Sequence, residues 1–351
     1  MALSKTAKIW IIILSIPVVL VVVAIIAAKM YFTSERLKAM IIPEIEKSTH
    51  RSVSVNDISF SIFPSLAISL DGLRILNPAG STFEKDEFLS LERLKLNVKL
   101  FELLHDKLEI SYIIIDHPKV YLEITKNGMK NYSSSRAVKE GSEGVRVEKS
   151  ETGELLLSNL EINDCEIEYI DKKFDSRMAI TGLHQIAKVE AKPGEPMIRF
   201  EGTTSLDKLS YGSLTTWYLS EQPLTAESRL SYAVDKDVLT LDDVKMKLKD
   251  LPLTMTGTVS NLQQKTVILN LSVTSPGAEM TQLLSLVSPE MLKKTQGLSS
   301  LGDVKFSMII KGESNETMNP GAKGEFTIAN GKIQYTSLPK SINNINLTGS
   351  F

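Results

Sequence analysis

The chain has 351 residues and a formal net charge of −2 at pH 7, and its 40 basic residues are interleaved with 42 acidic ones. Because binding to nucleic acid needs a concentrated basic face, this charge pattern argues against a nucleic-acid partner. The length allows two or more domains. The single cysteine, Cys165, excludes an intrachain disulfide, so we expect it to be a small core side chain.

The first predicted element is a membrane-spanning helix over residues 9–28, from Ile9 and Trp10 through Leu20 to Ala28. This stretch carries no charge, and at 1.5 Å per residue it covers about 30 Å, the thickness of the hydrocarbon core of a bilayer. A cleaved signal peptide is the alternative, but its apolar region normally covers only about 7–15 residues. Positive charges lie on both sides of the span and do not settle its orientation. We expect residues 1–8 to form a cytoplasmic tail and the rest to be exported.

An amphipathic helix and a β region follow, and we assign both to a domain over residues 29–132. Apolar residues four apart predict a helix over residues 34–48 with Ser34 as its N-cap, which lies at the membrane surface or, more commonly, packs on the following sheet. Beyond Ser52 the apolar period changes to two, and Asp71–Gly72 predicts a turn. The alternating runs cover residues 60–62, 66–70, 94–100, 108–114 and 120–124. They predict a meander of antiparallel strands.

A stretch rich in Ser, Gly, Lys and Glu, residues 133–153, divides the exported chain. Because this composition cannot bury a core, we interpret it as a flexible loop and domain boundary, followed by a second β region over residues 154–351. A ten-residue pattern recurs there, with two apolar residues at period two, a polar centre and two more apolar residues. Copies begin at Leu160, Leu239 and Phe326, and a looser copy begins earlier, at Ile113. Asn330–Gly331 is a strong hairpin signal, so we interpret each copy as a β-hairpin.

Further strands in the same phase are predicted over residues 251–259, 269–273 and 304–310. Two Ser-Pro sequences, at Ser275 and Ser288, predict short helices that cover one end of the sheet or only pack on it. The predicted fold class is therefore mainly β (α+β). It consists of an N-terminal transmembrane helix and then an elongated, curved antiparallel sheet built from successive hairpins, with a few short helices.

The sequence contains no pattern typical of catalysis or metal binding. Its four histidines lie more than ten residues apart, and the phosphate-binding and nucleophile motifs of common enzyme classes do not occur. The acidic pair Asp242–Asp243 falls in the polar centre of a recurring unit, where we interpret both residues as turn formers. We therefore expect a non-enzymatic protein without catalytic residues, bound metal or cofactor.

Alternating strands give a sheet one apolar face, which helices, another sheet or lipid must cover. An open concavity would hold acyl chains at about 0.8 kcal/mol per buried CH₂. A closed sandwich would instead act as a scaffold or partner-binding module, and the period of two does not distinguish these alternatives. A shift of one residue in strand register would exchange the two faces. The candidate residues for a lipid groove are Leu94, Leu96, Val98, Ile110, Val120 and Leu122.

Several segments resemble blocks of the AsmA family, the single-span envelope proteins of bacteria with two membranes. The stretch from Ile42 to Asn131 contains PEIEKSTHRSVSVNDISFSIFPSLAISLDG and FLSLERLKLNVKLFELLHDKLEIS, which are similar to the family's first helix and strands. DKDVLTLDDVKMKLKDLPL and GEFTIANGKIQY are similar to later blocks. His50 departs from the pattern, because the family often has Gly at this place.

The resemblance implies a protein of the bacterial inner membrane with a single span and the bulk of its chain in the periplasm. It implies a role linked to outer-membrane assembly, in which phospholipid is carried along a hydrophobic groove and other envelope proteins are candidate partners. Because Phe351 falls within a predicted strand, we expect the second AsmA-like region to be truncated at its C-terminus.

Overall fold

The computed structural model describes residues 33–61, 66–99, 109–132, 156–191, 195–286, 298–315, 318–335 and 340–351. The predicted span over residues 9–28, the polar stretch over residues 133–153 and the helix predicted at Ser288 lie outside these ranges. Within the described ranges, none of the helices has both the length and the apolar character needed to cross a bilayer.

The described residues are mainly β, as predicted, and their 17 strands form one sheet. The helices are α1 (Ser34–Thr49) and α2 (Met280–Leu284). The strands of the first half are β1 (Val53–Ser54), β2 (Asp57–Ser61), β3 (Leu66–Leu76), β4 (Glu87–Val98), β5 (Glu109–Asp116), β6 (Lys119–Ile124), β7 (Leu156–Leu157), β8 (Asn159–Asp171) and β9 (Ser176–Ala191). Those of the second half are β10 (Met197–Gly212), β11 (Trp217–Ala233), β12 (Val238–Leu248), β13 (Leu251–Ser260), β14 (Val267–Glu279), β15 (Leu298–Ser314), β16 (Gly321–Tyr335) and β17 (Ile342–Ser350).

The order of strands in the sheet largely follows the chain. β1 and β2 both pair with β3, and β5 and β6 lie in line between β4 and β8. From β8 to β17 each strand pairs with the next in antiparallel orientation. The strands on the two sides of the predicted domain boundary therefore belong to the same sheet.

The prediction of a purely antiparallel meander is wrong at one place. β5 and β6 run parallel to β8, and β5 runs parallel to β7. Parallel neighbours need a connection of about a dozen residues or more. The segment of residues 125–155, which separates β6 from β7, meets this length requirement.

The recurring ten-residue units are not hairpins, which corrects the interpretation made from the sequence. The units that begin at Leu160, Leu239 and Phe326 each run through a single strand, and the unit that begins at Ile113 runs through β5 and β6 in line. Their polar centres interrupt the strand pairing instead of reversing the chain. In β8, Ile162 pairs with Gln185 and Cys165 with Leu183, so β8 contributes one more residue than β9. This is the geometry of a β-bulge.

The spacing of the apolar residues explains why a bulge is needed. Ile162 and Ile167 are five positions apart, and in a regular strand an odd spacing places side chains on opposite faces. The extra residue at the bulge restores the phase, so that Ile162 lies beside Ile115 and Ile167 beside Val120 on the same face. Asn, Asp and Gly favour both hairpin turns and bulges, because both require the left-handed backbone conformation.

Asp71–Gly72 is a second predicted turn that lies inside a strand. Both residues belong to β3, and Gly72 has the left-handed φ of 66°. A side chain at Gly72 would also overlap Asn56, whose Nδ2 lies 2.1 Å from the position of an added Cβ.

Cys165 is buried, as predicted for a small core side chain. Burial raises the pKa of its thiol to about 11.

The two described helices agree with the sequence only in part. α1 covers the predicted range, and Pro43 lies inside it without ending it. Ser34 is not the N-cap, which is Thr33; instead the Ser34 hydroxyl donates a hydrogen bond to Asp57 Oδ1. The predicted helix start at Ser275 is wrong, because β14 continues to Glu279 and bulges between Ser275 and Ala278. Proline is tolerated at such a bulge.

The core of the described structure lies where α1 packs on the first strands. The buried side chains of this cluster are Val53, Val55, Ile58, Leu70, Leu73, Ile75 and Leu91. Leu37, Ile41 and Ile45 of α1 pack against them. α1 ends at Thr49, and His50 adopts the left-handed conformation, with φ of 55°, that a glycine at this place would adopt more easily.

The role of the bulge in β8 is tested by deleting Asp164, which has the left-handed φ of 51°. Without the extra residue, Cys165 and Ile167 turn to the other face, so we expect the free energy of unfolding to fall by more than about 3 kcal/mol. Asp164→Gly is the matched control. It keeps the extra residue and suits the conformation, so unfolding in urea should change by less than about 1 kcal/mol. Equal effects of the two changes would contradict this role.

Candidate functional site: the apolar face of the sheet

One face of the sheet carries apolar side chains across most of its width, and we call it the apolar face. Residues directly opposite each other on neighbouring strands lie on the same face, so the strand register identifies its members. Representative pairs are Leu70–Leu94, Leu94–Ile115, Ile167–Ile180, Phe200–Leu230, Leu230–Leu241, Met255–Val273, Val273–Met308 and Phe306–Phe326. The opposite side, which we call the outer face, is mostly polar. The outer-face pairs include Glu201–Arg229, Arg229–Asp243, Thr258–Asn270 and Lys305–Thr327.

The six residues predicted to line a groove all lie on the apolar face. Leu94, Leu96 and Val98 of β4 pair with Ile115, Ile113 and Ile110 of β5. Val120 pairs with Leu89 of β4, and Leu122 pairs with Tyr169 of β8. Val98 is buried, and the other five are half-buried. The strand register therefore brings the six together on one surface, and their role in binding lipid stays a prediction.

Beyond the first strands, the apolar face is only half-buried. Along β11 the half-buried residues Leu224, Ala226, Ser228 and Leu230 alternate with exposed residues of the outer face. The described residues contain no second sheet, and their helices lie near the two ends, α1 against the first four strands and α2 beside β14 and β15. The middle of the apolar face thus has no covering layer among the described residues.

The sheet bends toward the apolar face. Left-handed residues recur at the same height in neighbouring strands, and we call this line the bend row: Gly72, His117, Asp164, Gly182 and Glu221. Next to it, Cys165 and Leu206 of the apolar face are only 5% and 7% exposed, although no described second layer covers them. Neighbouring side chains of the same face bury them, as expected where bulges bend a sheet. The apolar face is therefore a trough, in agreement with the predicted curvature.

A polar patch interrupts the trough at β9 to β11. The Thr204 hydroxyl donates a hydrogen bond of 2.5 Å to Gln185 Oε1, and the Gln185 amide donates to the carbonyl oxygen of Ile186. On β11 the Ser228 hydroxyl donates to the carbonyl oxygen of Gly202. Each of these groups has a partner within the sheet, so the patch leaves no strong hydrogen-bonding demand toward the trough.

The first part of the chain matches a known protein family. A family model described as the AsmA family matches residues 3–191, which is more than half of the chain. The chain belongs to the AsmA family. Among curated proteins and solved structures, none matches it significantly. The matched range of this AsmA protein includes α1 and the strands from β1 to β9, and the sheet continues by strand pairing into β10 and the strands beyond it.

On the outer face of this AsmA protein, a buried polar network joins the first strands of the trough. Glu123 of β6 is 0% exposed. Its Oε1 accepts a hydrogen bond of 2.6 Å from Lys172 Nζ, and its Oε2 accepts bonds of 2.8 Å from the Tyr121 hydroxyl and from the Glu84 backbone N–H. Asn131, which is 1% exposed, accepts from the Glu123 backbone N–H and donates to the Tyr121 carbonyl oxygen.

Burial and hydrogen bonding have opposite effects on the pKa values of Glu123 and Lys172. Burial by itself would raise the pKa of Glu123, but hydrogen bonds from Lys172, the Glu84 N–H and Tyr121 outweigh it and hold the pKa below its ordinary value. Burial would lower the pKa of Lys172, but the carboxylates of Glu123 and Glu84 raise it above its ordinary value. Both groups are therefore charged at neutral pH, and their pairing stabilises the folded state.

The local sequence pattern does not predict this network. Glu123 occupies an ordinary polar position in an alternating strand, between Leu122 and Ile124. Such a position normally points to solvent. It is buried because the segment that contains Glu84 and Lys85, far away in sequence, lies over this part of the outer face: Lys85 forms an ion pair with Glu168 and lies 4.6 Å from the ring centre of Tyr121.

We predict that Glu123→Gln lowers the free energy of unfolding by on the order of 3 kcal/mol, because it leaves Lys172 without its buried carboxylate. Glu168→Gln is the matched control. It removes the carboxylate of an ion pair with Lys85 whose side chains are 44% and 51% exposed, so it should cost less than about 1 kcal/mol. Urea unfolding at neutral pH measures both changes.

Glu123→Gln should also change how the stability of the protein depends on pH. Because the pKa of Glu123 is lower in the folded chain than its ordinary 4.5, its stabilisation is complete above that value and is lost as the pH falls through the folded pKa. Glu123→Gln should therefore flatten the acid side of the curve of stability against pH. Lys172, with its raised pKa, loses its contribution only as the pH rises above 10.5. An unchanged acid side in Glu123→Gln would contradict the assignment.

Proposed function

We propose that this AsmA protein binds phospholipid by its acyl chains along the trough and moves it without catalysing a reaction. The observation that supports the proposal best is the half-buried apolar face, which extends across most of the sheet and which no described layer covers in the middle. An apolar surface of this extent is rare on a soluble protein unless it binds a partner or a lipid. Burying acyl chains there is favourable by about 0.8 kcal/mol per CH₂.

The dimensions favour a track over a pocket for one molecule. Neighbouring strands are about 4.8 Å apart, so the stretch from β4 to β17 extends about 50 Å across the strands. An acyl chain in a bilayer covers about 15 Å, half of the hydrocarbon core. Several lipids could therefore occupy the trough at once, which suits transfer along it.

We further propose that the chain is anchored in the bacterial inner membrane by residues 9–28 and that the sheet lies in the periplasm. Family membership and the uncharged apolar stretch support this location. In that arrangement α1 follows the membrane span directly, so the α1 end of the trough lies near the inner membrane and the trough leads away from it. The proposal includes a role in outer-membrane assembly, which family membership supports.

The acyl-chain path is tested by photo-crosslinking in the middle of the sheet. Met246 is half-buried on the apolar face, and Lys247 is exposed on the outer face. We predict that benzoylphenylalanine at position 246 of the full-length chain crosslinks to phospholipid in cells, whereas the same residue at position 247 does not. Mass spectrometry of the crosslinked protein identifies the adduct.

Leu224→Asp places a carboxylate close to position 246. Leu224 pairs with Leu248, which lies two residues beyond Met246 on the same face of β12. A charge in hydrocarbon costs about 2.5–3.5 kcal/mol, so crosslinking from position 246 should fall at least tenfold. Thr225→Asp puts the same charge on the outer face, where Thr225 is exposed, and should change nothing. Loss of folding in Leu224→Asp would indicate a closed core, and absence of phospholipid from the wild type would favour a scaffold. Hydrolysed lipid would indicate an enzyme.

The location is tested by fusing alkaline phosphatase, which is active only in the periplasm, after Phe351. We expect an active fusion, because the short tail before residue 9 stays in the cytoplasm and the sheet is exported. Removing residues 9–28 from the same fusion should abolish the activity. An inactive full-length fusion whose cytoplasmic reporter counterpart works would reverse the orientation and exclude transfer through the periplasm.

A further inference from the structure

The outer face contains a depression of about 320 Å³ that the lipid proposal does not use. Its floor is formed by β6, β8 and β9, and it extends on one side to the start of β11. The side chains that matter for its chemistry are Tyr121, Ile170, Arg177 and Trp217, with Lys85 and Phe88 at one margin. The sheet separates this depression from the trough, so acyl chains in the trough do not reach it.

Arg177 and Trp217 are brought together by the strand register across a glycine. Arg177 of β9 pairs with Gly212 of β10, and Gly212 pairs with Trp217 of β11, so the three residues share one row on the outer face. Gly212 has no side chain to separate its neighbours, and the Arg177 guanidinium carbon lies 3.7 Å from the ring centre of Trp217. An added Cβ at Gly212 would come within 2.7 Å of the Trp217 Cα. The cation–π contact fixes the plane of the guanidinium.

Arg177 is a cation that has no anionic partner among the described residues. No carboxylate of the described residues lies within ion-pair distance of it, and its Nε is buried without a hydrogen-bond partner. A buried guanidinium donor without an acceptor is costly, because arginine has five donors and normally satisfies them. Of the guanidinium nitrogens only Nε is buried in this way; the Nη groups also have no acceptor among the described residues, and they are the donors that an anion from outside the chain can reach.

The carboxylates around the depression do not repel such an acceptor strongly, because each has its own cation. Glu168 pairs with Lys85, and Glu166 lies 3.1 Å from Lys119 Nζ. Glu87 lies 3.9 Å from Arg74 Nε and accepts a hydrogen bond from the Ser90 hydroxyl. The charges of the rim thus cancel in pairs, and the charge of Arg177 remains.

We propose that the depression binds a small organic carboxylate, whose anionic group lies on Arg177 and whose apolar body lies against Trp217 and Ile170. An arginine that is stacked on an aromatic ring presents its donors in the planar geometry that suits a carboxylate. The volume of about 320 Å³ is at the lower end of the range for ligand sites, which limits the ligand to a small molecule.

The chain offers a direct optical readout, because it has two tryptophans, Trp10 and Trp217. In full-length Trp10→Phe, emission reports on Trp217 alone. We expect phenylacetate and hexanoate to change this emission with saturation on the order of 1 mM, as suits ligands of this size. Phenylethanol and hexanol, which have the same bodies without the charge, should bind at least tenfold more weakly.

Arg177→Gln should weaken binding of phenylacetate at least tenfold, and Arg177→Lys, which keeps the charge but loses the planar fork, should bind with intermediate strength. Arg199→Gln is the control, because Arg199 is exposed on the outer face and pairs with Glu195. Added phospholipid should not compete, so failure of this site and failure of the lipid path are distinguishable. Equal binding of alcohol and carboxylate, or no saturation in the wild type, would overturn the proposal even if Arg177→Gln did not fold.

Discussion

The phase of the apolar residues along each long strand is the constraint on which the rest of this structure depends. A strand places successive side chains on alternate faces, so one residue too many or too few moves everything beyond it to the other face. β8, β12 and β16 each contain an odd spacing between their two apolar halves, and each contains a bulge that corrects it. The bulges therefore keep a single apolar face along each of these strands, the longest of which has 15 residues.

The same bulges shape the surface that they preserve. Because a bulge bends and twists its strand, the recurrence of left-handed residues at one height, from β3 to β11, bends that part of the sheet. The side chains at the bend, such as Cys165 and Leu206, are buried by their own neighbours. Those farther out, such as Leu224 and Leu230, remain half-buried. Among the described residues, a long apolar trough results from the strands themselves, without a second layer.

The two faces of the sheet perform separate physical tasks. The apolar face gains its stability from contact with α1 at one end and, in our proposal, with lipid along its length. The outer face carries the charges, most of them paired and exposed, where each pair contributes little to stability. Glu123 and Lys172 differ because burial makes their pairing costly to break. Arg177 differs again, since it is held by Trp217 and lacks an anionic partner among the described residues.

The sequence by itself determined the class of the fold, the helix over residues 34–48 and the membership of the apolar face. These features follow from local periodicity, which depends only on neighbouring residues. Periodicity also places Leu94, Leu96 and Val98 on one face of β4, but the strand register decides that Ile110, Val120 and Leu122 lie on the same surface.

Only the tertiary structure decided how the strands connect. Asn330–Gly331 and Asp71–Gly72 favour a left-handed backbone, which serves a hairpin and a bulge equally well, and the partner strands select the bulge. The parallel pairing of β6 with β8, the burial of Glu123 and the contact of Arg177 with Trp217 all join residues that are distant in sequence. Local periodicity contains no information about such contacts, because they depend on which strands become neighbours.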